Sequence, residues 1–148
     1  MKDYVLGFLF SENLENVALI RKEHPQWQKG KLNEIGGLIG IDKNGYKLDE
    51  TPVQAMVREF AEETGVRLTE EDWIEYCVMG GKDWSCRCFC AWSNAIHLVT
   101  SPTDETVIIH KLEMLPNLNI IPNVPFLALM AKDKLVNPTT FTSCILKY

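Results

Sequence analysis

The chain has no apolar run long enough to cross a bilayer, and its first residues, Met1-Lys2-Asp3-Tyr4, lack the ordered parts of a secretory signal peptide. We therefore expect a cytoplasmic protein with no membrane partner. Acidic residues outnumber basic ones by 20 to 15, giving a net charge of -5. Such a balance argues against binding a nucleic-acid polymer through broad electrostatic attraction.

Paired cysteine motifs are also missing. The five cysteines are an odd number without a CxxC pair, and Cys86, Cys88 and Cys90 alternate as they would on one face of a strand. We expect small buried thiols rather than disulfides or a metal centre. The three histidines lie singly, without a Ser or Cys nucleophile context, and are expected to be structural or surface residues: His24, His97 and His110.

No linker, internal repeat or low-complexity segment divides the chain. With 148 residues, of which 46% are hydrophobic, it has the size and composition of a single domain spanning residues 1–148.

One helix, at about residues 52–64, is well marked. Thr51 is a suitable N-cap, Pro52 suits the first helical position, and Gln54 completes a Thr-x-x-Gln capping box. Gly65 supplies the stop. An apolar stripe predicts that one side of this helix packs on a core: Val53, Met56, Val57 and Phe60.

Three carboxylates on this helix, those of Glu59, Glu62 and Glu63, have i, i+3, i+4 spacing and share one narrow arc. Crowded anions repel one another, unless a hard cation with a preference for oxygen ligands neutralises them. A solvated helix face held by i, i+4 pairs is the alternative interpretation.

The surrounding residues decide between these interpretations. Glu50, Arg58-Glu59-Phe60, Glu62-Glu63 and Gly65-Val66, with Gly36-Gly37 upstream, closely resemble the Nudix box. The resemblance implies an α/β fold, an α/β/α sandwich with a mixed β-sheet between the box helix and a C-terminal helix. It also implies metal-dependent hydrolysis of a diphosphate linkage in a nucleoside diphosphate derivative, with Mg²⁺ as cofactor and Mn²⁺ as an alternative. A homodimer is compatible with the family.

The resemblance assigns roles by position. Metal ligands are implied at Glu59, Glu62, Glu63 and the carbonyl of Gly37. Catalytic roles are implied for Glu59, Glu62 and Arg58, which orients a glutamate, and for Glu105, which falls where other members place a further catalytic or metal-binding glutamate. Glu50 is grouped with the substrate-binding residues, where it supports the loop or the metal shell.

The chain departs from the family between Gly37 and Glu50, which lie thirteen positions apart, seven more than is usual. Asn44-Gly45 between two short apolar-polar runs predicts an inserted hairpin at about residues 38–49 with a type I′ turn. This segment has two possible interpretations: a flap that faces the substrate, or a loop without a functional role.

Asn33, with Asp104 beside Glu105, resembles the base-reading groups of members that sanitise oxidised purine nucleotides, although Asn33 could merely order its loop. Trp27 and Trp84 are candidates for stacking on a base, or for ordinary packing. We predict a nucleoside triphosphate, with an oxidised purine as one option, cleaved to monophosphate plus pyrophosphate. The alternatives are ADP-ribose or a nucleotide sugar, and a non-catalytic nucleotide sensor.

The remaining elements follow from periodicity and turn signals. A C-terminal helix is predicted from an Asn123 cap to about Leu135. Strands are predicted at residues 4–10, 17–21, 73–79, 86–92, 106–112 and 141–146, the first two joined as a hairpin.

Overall fold

The computed structural model describes all residues, 1–148, as one mixed sheet with a helix on each face. The strands are β1 (Lys2–Phe10), β2 (Asn16–Arg21), β3 (Leu32–Asn33), β4 (Ile35–Leu38), β5 (Ile74–Gly80), β6 (Trp84–Trp92), β7 (Thr106–Lys111) and β8 (Cys144–Lys147). The long helices are α1 (Pro52–Thr64) and α2 (Val124–Val136). Every strand and helix predicted from the sequence is present, with small shifts at the ends.

The sheet has the strand order β3-β2-β1-β6-β5-β8, with β4 also paired to β1 and β7 to β2. Strand β1 runs parallel to β6 along its whole length, and β5 runs parallel to β8, while the other pairs are antiparallel. The predicted mixed sheet is therefore confirmed.

Two hydrophobic cores lie on opposite faces of the sheet. One packs α1 through Met56 and Phe60 against β1, and the other packs α2 through Leu127 and Ala128 against the face that carries Tyr76 and the cysteines. This arrangement confirms the α/β/α sandwich.

The signals predicted for α1 are all present. Thr51 Oγ1 accepts a hydrogen bond from the Gln54 amide, Gln54 Oε1 accepts one from the Thr51 amide, and Gly65 ends the helix with φ +77°. The predicted cap of α2 is wrong in its detail. Asn123 does precede the helix, but its side chain accepts no hydrogen bond from the helix amides, because its backbone is helical (φ -84°, ψ -11°) rather than extended as in a side-chain cap. Its Nδ2 donates to Tyr148 Oη at 2.8 Å.

The inserted segment does fold back on itself, joined by one antiparallel bridge between Ile41 and Lys47. The predicted type I′ turn is wrong, since that turn needs a positive φ at both central residues and here Gly45 has one (+86°) while Asn44 does not. The Gly45 amide donates to the Asp42 carbonyl, as in three-residue hairpin loops that place glycine last. Asp42 Oδ1 accepts from the amides of Asn44 and Tyr46, which favours this turn.

All five cysteines are free thiols, and the three on β6 are buried, as expected. Neither helix is long and apolar enough to span a membrane.

Candidate active site

Arg58 is the centre of a hydrogen-bond network at the start of the acidic face of α1. Its Nε and Nη2 bind the two oxygens of Glu50 at 3.0 and 2.7 Å, and Nη2 also donates to the Leu38 carbonyl at 3.0 Å. Its Nη1 reaches Glu59 Oε1 at 2.8 Å and Glu62 Oε2 at 3.4 Å. Hydrogen bonds from Arg58 lower the pKa of Glu50, and those to Glu50 raise the pKa of Arg58, so both stay charged.

Glu59 is the most enclosed of the three box glutamates, with 8% of the residue exposed. Burial raises the pKa of its carboxyl to about 7, although the hydrogen bond from Arg58 opposes the shift. The carboxylate lies directly over Gly37 on β4, where a Cβ would come within 2.5 to 2.6 Å of its carboxyl atoms. Only glycine at position 37 leaves room for this placement.

Glu63, on α1, lies near Glu105, which immediately precedes β7. Glu63 accepts a hydrogen bond from Thr103 Oγ1 at 3.3 Å, and burial together with the charge of Glu105 raises its pKa. Glu105 is held by Lys22 Nζ at 2.9 Å and the Glu23 amide at 2.7 Å. Burial would raise the pKa of Glu105, but these donors outweigh it and lower the pKa.

The carboxylates are neighbours, yet no three acidic, histidine or cysteine side chains close around a single point. The donor set nevertheless fits a hard divalent cation. All the groups offered are carboxylate oxygens. The pKa of the most buried one, on Glu59, is raised chiefly by burial and further by the charges of Glu62 and Glu63. A cation between Glu59, Glu62 and Glu63 would relieve that repulsion.

A cavity of about 530 Å³ adjoins this face. It brings together four residues singled out in the sequence: Trp27, Asn33, Gly37 and Trp84. Two of its lining residues contact the acidic residues described above: Gly37 lies under Glu59, and Lys22 binds Glu105. A ligand in the cavity would therefore extend toward the carboxylates.

Two predicted substrate residues are not brought to the cavity. Asp104 is 71% exposed at its side chain, and its Oδ2 lies 3.8 Å from His24 Nε2. Glu50 has both oxygens bound by Arg58, one of them also by the Gly40 amide, so it supports the loop, and it does not line this cavity. Asn33 does line the cavity, but its amide is engaged by Gln28 and by the Glu34 backbone.

The cavity lining also includes polar residues that the sequence did not assign to a site, among them Lys22, His24, Glu34, Cys86 and Asn123. For Glu34 a signal was available, because in an extended segment it lies on the same face as Leu32, two positions earlier. An acid on an apolar face that leads into a buried strand indicates a functional role. Its partner Tyr76 lies 42 positions away and could not be found from local pattern.

A second cavity, of about 510 Å³ beside Leu112, Leu129 and Lys132, contains none of the predicted residues.

No family model and no curated protein matches the sequence, whereas many solved structures match the fold. A MutT from a study of Aliivibrio salmonicida and Vibrio cholerae aligns with a TM-score of 0.71 at 18% identity, over 89% of this chain and 98% of that one. A NUDIX hydrolase from Nitrosomonas europaea aligns with a TM-score of 0.66 at 19% identity, over 99% and 79% of the two chains.

The third similar protein is NrtR of Shewanella oneidensis. Its NUDIX domain, solved with ADP ribose, aligns with a TM-score of 0.66 at 21% identity, over 90% of this chain and 87% of that one. The same protein solved with a 27mer DNA aligns with a TM-score of 0.69 at 20% identity, and this chain covers 61% of it. At these identities the similarity establishes the fold: the chain has the Nudix fold, as its resemblance to the family predicted.

Proposed function

We propose that the protein is a metal-dependent pyrophosphohydrolase that cleaves a nucleoside triphosphate to a monophosphate and pyrophosphate. The observation that carries this proposal is the position of Gly37, which lines the cavity and also lies under the Glu59 carboxylate. A nucleotide whose base occupies the cavity thereby presents its phosphates to the acidic face. Glu59, Glu62 and Glu63 would hold Mg²⁺, with Mn²⁺ as an alternative.

The divalent metal, when bound, neutralises phosphate charge and activates water for attack. Glu62 is the best-placed proton acceptor among the box residues, since its side chain is 24% exposed and its only hydrogen bond, from Arg58 Nη1, is long at 3.4 Å. As the water oxygen forms its bond to phosphorus, Glu62 takes the proton, and the bridging P–O bond breaks with its electron pair leaving on the departing phosphate. Arg58 positions Glu59 and Glu62 by hydrogen bonds, and Lys22 holds Glu105 close to the cavity.

Two other functions are supported by specific observations. ADP-ribose or a nucleotide sugar is the alternative substrate, and the ADP-ribose complex of the Shewanella NUDIX domain favours it. A nucleotide-sensing module is the other class, because NrtR is solved with DNA. Against that class, all the box glutamates are present and the net charge is -5, which favours a small nucleotide over a nucleic-acid polymer.

We infer a cytoplasmic location, which the five free thiols support, since unpaired cysteines persist in reducing compartments.

The test incubates the purified protein with Mg²⁺ and a panel of ordinary and oxidised nucleoside triphosphates, ADP-ribose and nucleotide sugars, and separates the products by chromatography. Glu62→Gln and Glu63→Gln should each remove most turnover while the fold persists. The matched control is Glu71→Gln, on an exposed turn away from the cavity. Parallel reactions with Mn²⁺ or a chelator test metal dependence.

Release of pyrophosphate and monophosphate from a triphosphate, lost in both site variants and kept in the control, would support the proposal. Cleavage of ADP-ribose alone would favour the alternative substrate. Tight binding of one compound that stays intact would favour the sensor, and full activity of Glu62→Gln would refute the assigned proton acceptor.

A further inference from the structure

Glu34 is a buried acid at the wall of the cavity. It lies between β3 and β4, lines the cavity together with Trp27 and Trp84, and is only 2% exposed. Its Oε1 accepts a hydrogen bond from Tyr76 Oη at 2.9 Å, whereas Oε2 has no partner in the protein. Because buried polar atoms are nearly always hydrogen-bonded, an unpartnered carboxyl oxygen on a residue that lines a cavity is a candidate for a contact that a ligand would complete.

Tyr76 holds this carboxyl in one orientation. The tyrosine is fully buried on β5, and its ring stacks on Phe8 with centroids 6.3 Å apart. Its phenol proton is directed at Oε1, so the other oxygen is the one left for a further contact.

The chemistry of the free oxygen follows from its surroundings. Burial raises the pKa of Glu34 to about 8, so the acid is neutral at pH 7. Since Oε1 accepts from Tyr76, the acid proton resides on Oε2, which becomes a hydrogen-bond donor. The amide predicted to read a base is less available, because Asn33 Nδ2 donates to Gln28 and its Oδ1 accepts from the Glu34 amide.

We propose that Glu34 recognises the edge of the substrate's base by donating a hydrogen bond from Oε2 to a keto oxygen. The cavity would then favour 6-keto purines such as hypoxanthine and guanine over adenine, which carries a donating amino group at the same position. This inference rests on the proposed function for a nucleotide in the cavity, but it does not require that the nucleotide be cleaved.

The test measures binding of IMP and AMP, both of which lack an anhydride bond, by titration calorimetry, and kcat/KM for ITP and ATP with Mg²⁺. Glu34→Gln keeps an acceptor for Tyr76 and a donor at the free position. Glu34→Leu has a similar volume and neither group. Wild type and Glu34→Gln should favour IMP over AMP by about tenfold, and Glu34→Leu should bring the two affinities near to equality through weaker IMP binding.

The proposal is overturned if wild type shows no preference for IMP, or if Glu34→Leu keeps the wild-type ratio. A uniform loss for both nucleotides would mean a structural role and also overturns it. Thermal unfolding checks that each variant folds, and Glu34→Met replaces Glu34→Leu if that variant does not.

The two proposals fail separately. A preference for IMP that Glu34→Leu abolishes, with no turnover of ITP or ATP, would leave base recognition intact and remove the hydrolase assignment. Turnover of a triphosphate, with the same ratio of IMP to AMP affinity in Glu34→Leu as in wild type, would support the hydrolase assignment and remove base recognition by Glu34.

Discussion

Arg58 binds Glu50 through two hydrogen bonds, from Nε to Oε2 at 3.0 Å and from Nη2 to Oε1 at 2.7 Å, with both side chains largely buried. The planar guanidinium fits this two-point contact, and an ammonium group does not. Since the same guanidinium also contacts Glu59 and Glu62, the pair fixes the spacing of the candidate metal ligands.

Arg58→Lys should therefore lower the free energy of unfolding by about 2 kcal/mol, because it leaves Glu50 buried with an incomplete set of donors. The measurement is urea denaturation. Arg87→Lys is the matched control: Arg87 pairs with Glu75 at 2.9 Å, but its side chain is 43% exposed, so its loss should cost under roughly 1 kcal/mol. Equal losses for the two variants would contradict the special role of the Arg58 contact.

Gly37→Ala should displace Glu59, because the added Cβ would lie about 2.5 Å from the carboxylate. The affinity for Mg²⁺, measured by titration calorimetry, should fall by roughly tenfold or more. In a Glu59→Ala background the same glycine substitution should have little further effect. Independent effects of the two substitutions would show that Gly37 acts through something other than Glu59.

Trp27→Ala should weaken nucleotide binding by roughly tenfold, since stacking a base on an aromatic ring contributes about 1–3 kcal/mol. Trp27 is 65% exposed and lines the cavity. Trp92→Ala provides the control, since Trp92 is 49% exposed and lies outside the cavity. Equilibrium titration followed by tryptophan fluorescence measures the nucleotide affinity of both variants. An unchanged affinity in Trp27→Ala would show that the base does not stack on Trp27.

Stability should depend on pH through Glu34. Its pKa in the folded protein is about 8, against a usual value of 4.5, so the folded state keeps a proton that the unfolded state loses. This contribution is complete below about pH 4.5 and disappears as the pH rises to 8, with a total on the order of 5 kcal/mol. Tyr76 remains a donor throughout, because burial raises its pKa well above the usual value.

The measurement compares the free energy of unfolding of wild type and Glu34→Gln from pH 5 to pH 9. The glutamine cannot ionise, so the difference between the two proteins should change across this range in favour of the variant at high pH. Parallel curves would show that Glu34 titrates normally.

The sequence predicted most of the fold because the signals for α1 and for the longer strands are local. The capping box at Thr51 and the stop at Gly65 lie within one helix length of the residues they define. The turn at Gly45 was misassigned because Asp42 satisfies the amides of Asn44 and Tyr46, which a two-residue turn signal does not consider. The hydrogen bonds that the Asp42 side chain accepts therefore favour the longer loop.

The acidic face was predictable for a similar reason, since the helix period alone places Glu59, Glu62 and Glu63 together. The cavity was only partly predictable. Glu34 contacts Tyr76 because the sheet brings together strands that are far apart in the sequence. Asn123 Nδ2 donates to Tyr148 Oη, and its side chain accepts no hydrogen bond from its own helix. Contacts between residues so far apart in the sequence depend on the register of the whole sheet, which cannot be predicted from a short motif.

The inserted hairpin differs sharply between its tip and its base. At the tip, Lys43, Asn44, Gly45 and Tyr46 are exposed. At the base, the Gly40 amide donates to the same Glu50 oxygen that Arg58 binds. Tolerance to substitution should therefore change within a few residues: substitutions at the tip should be tolerated, while substitutions at the base would shift the guanidinium and, through it, the carboxylates of the candidate site.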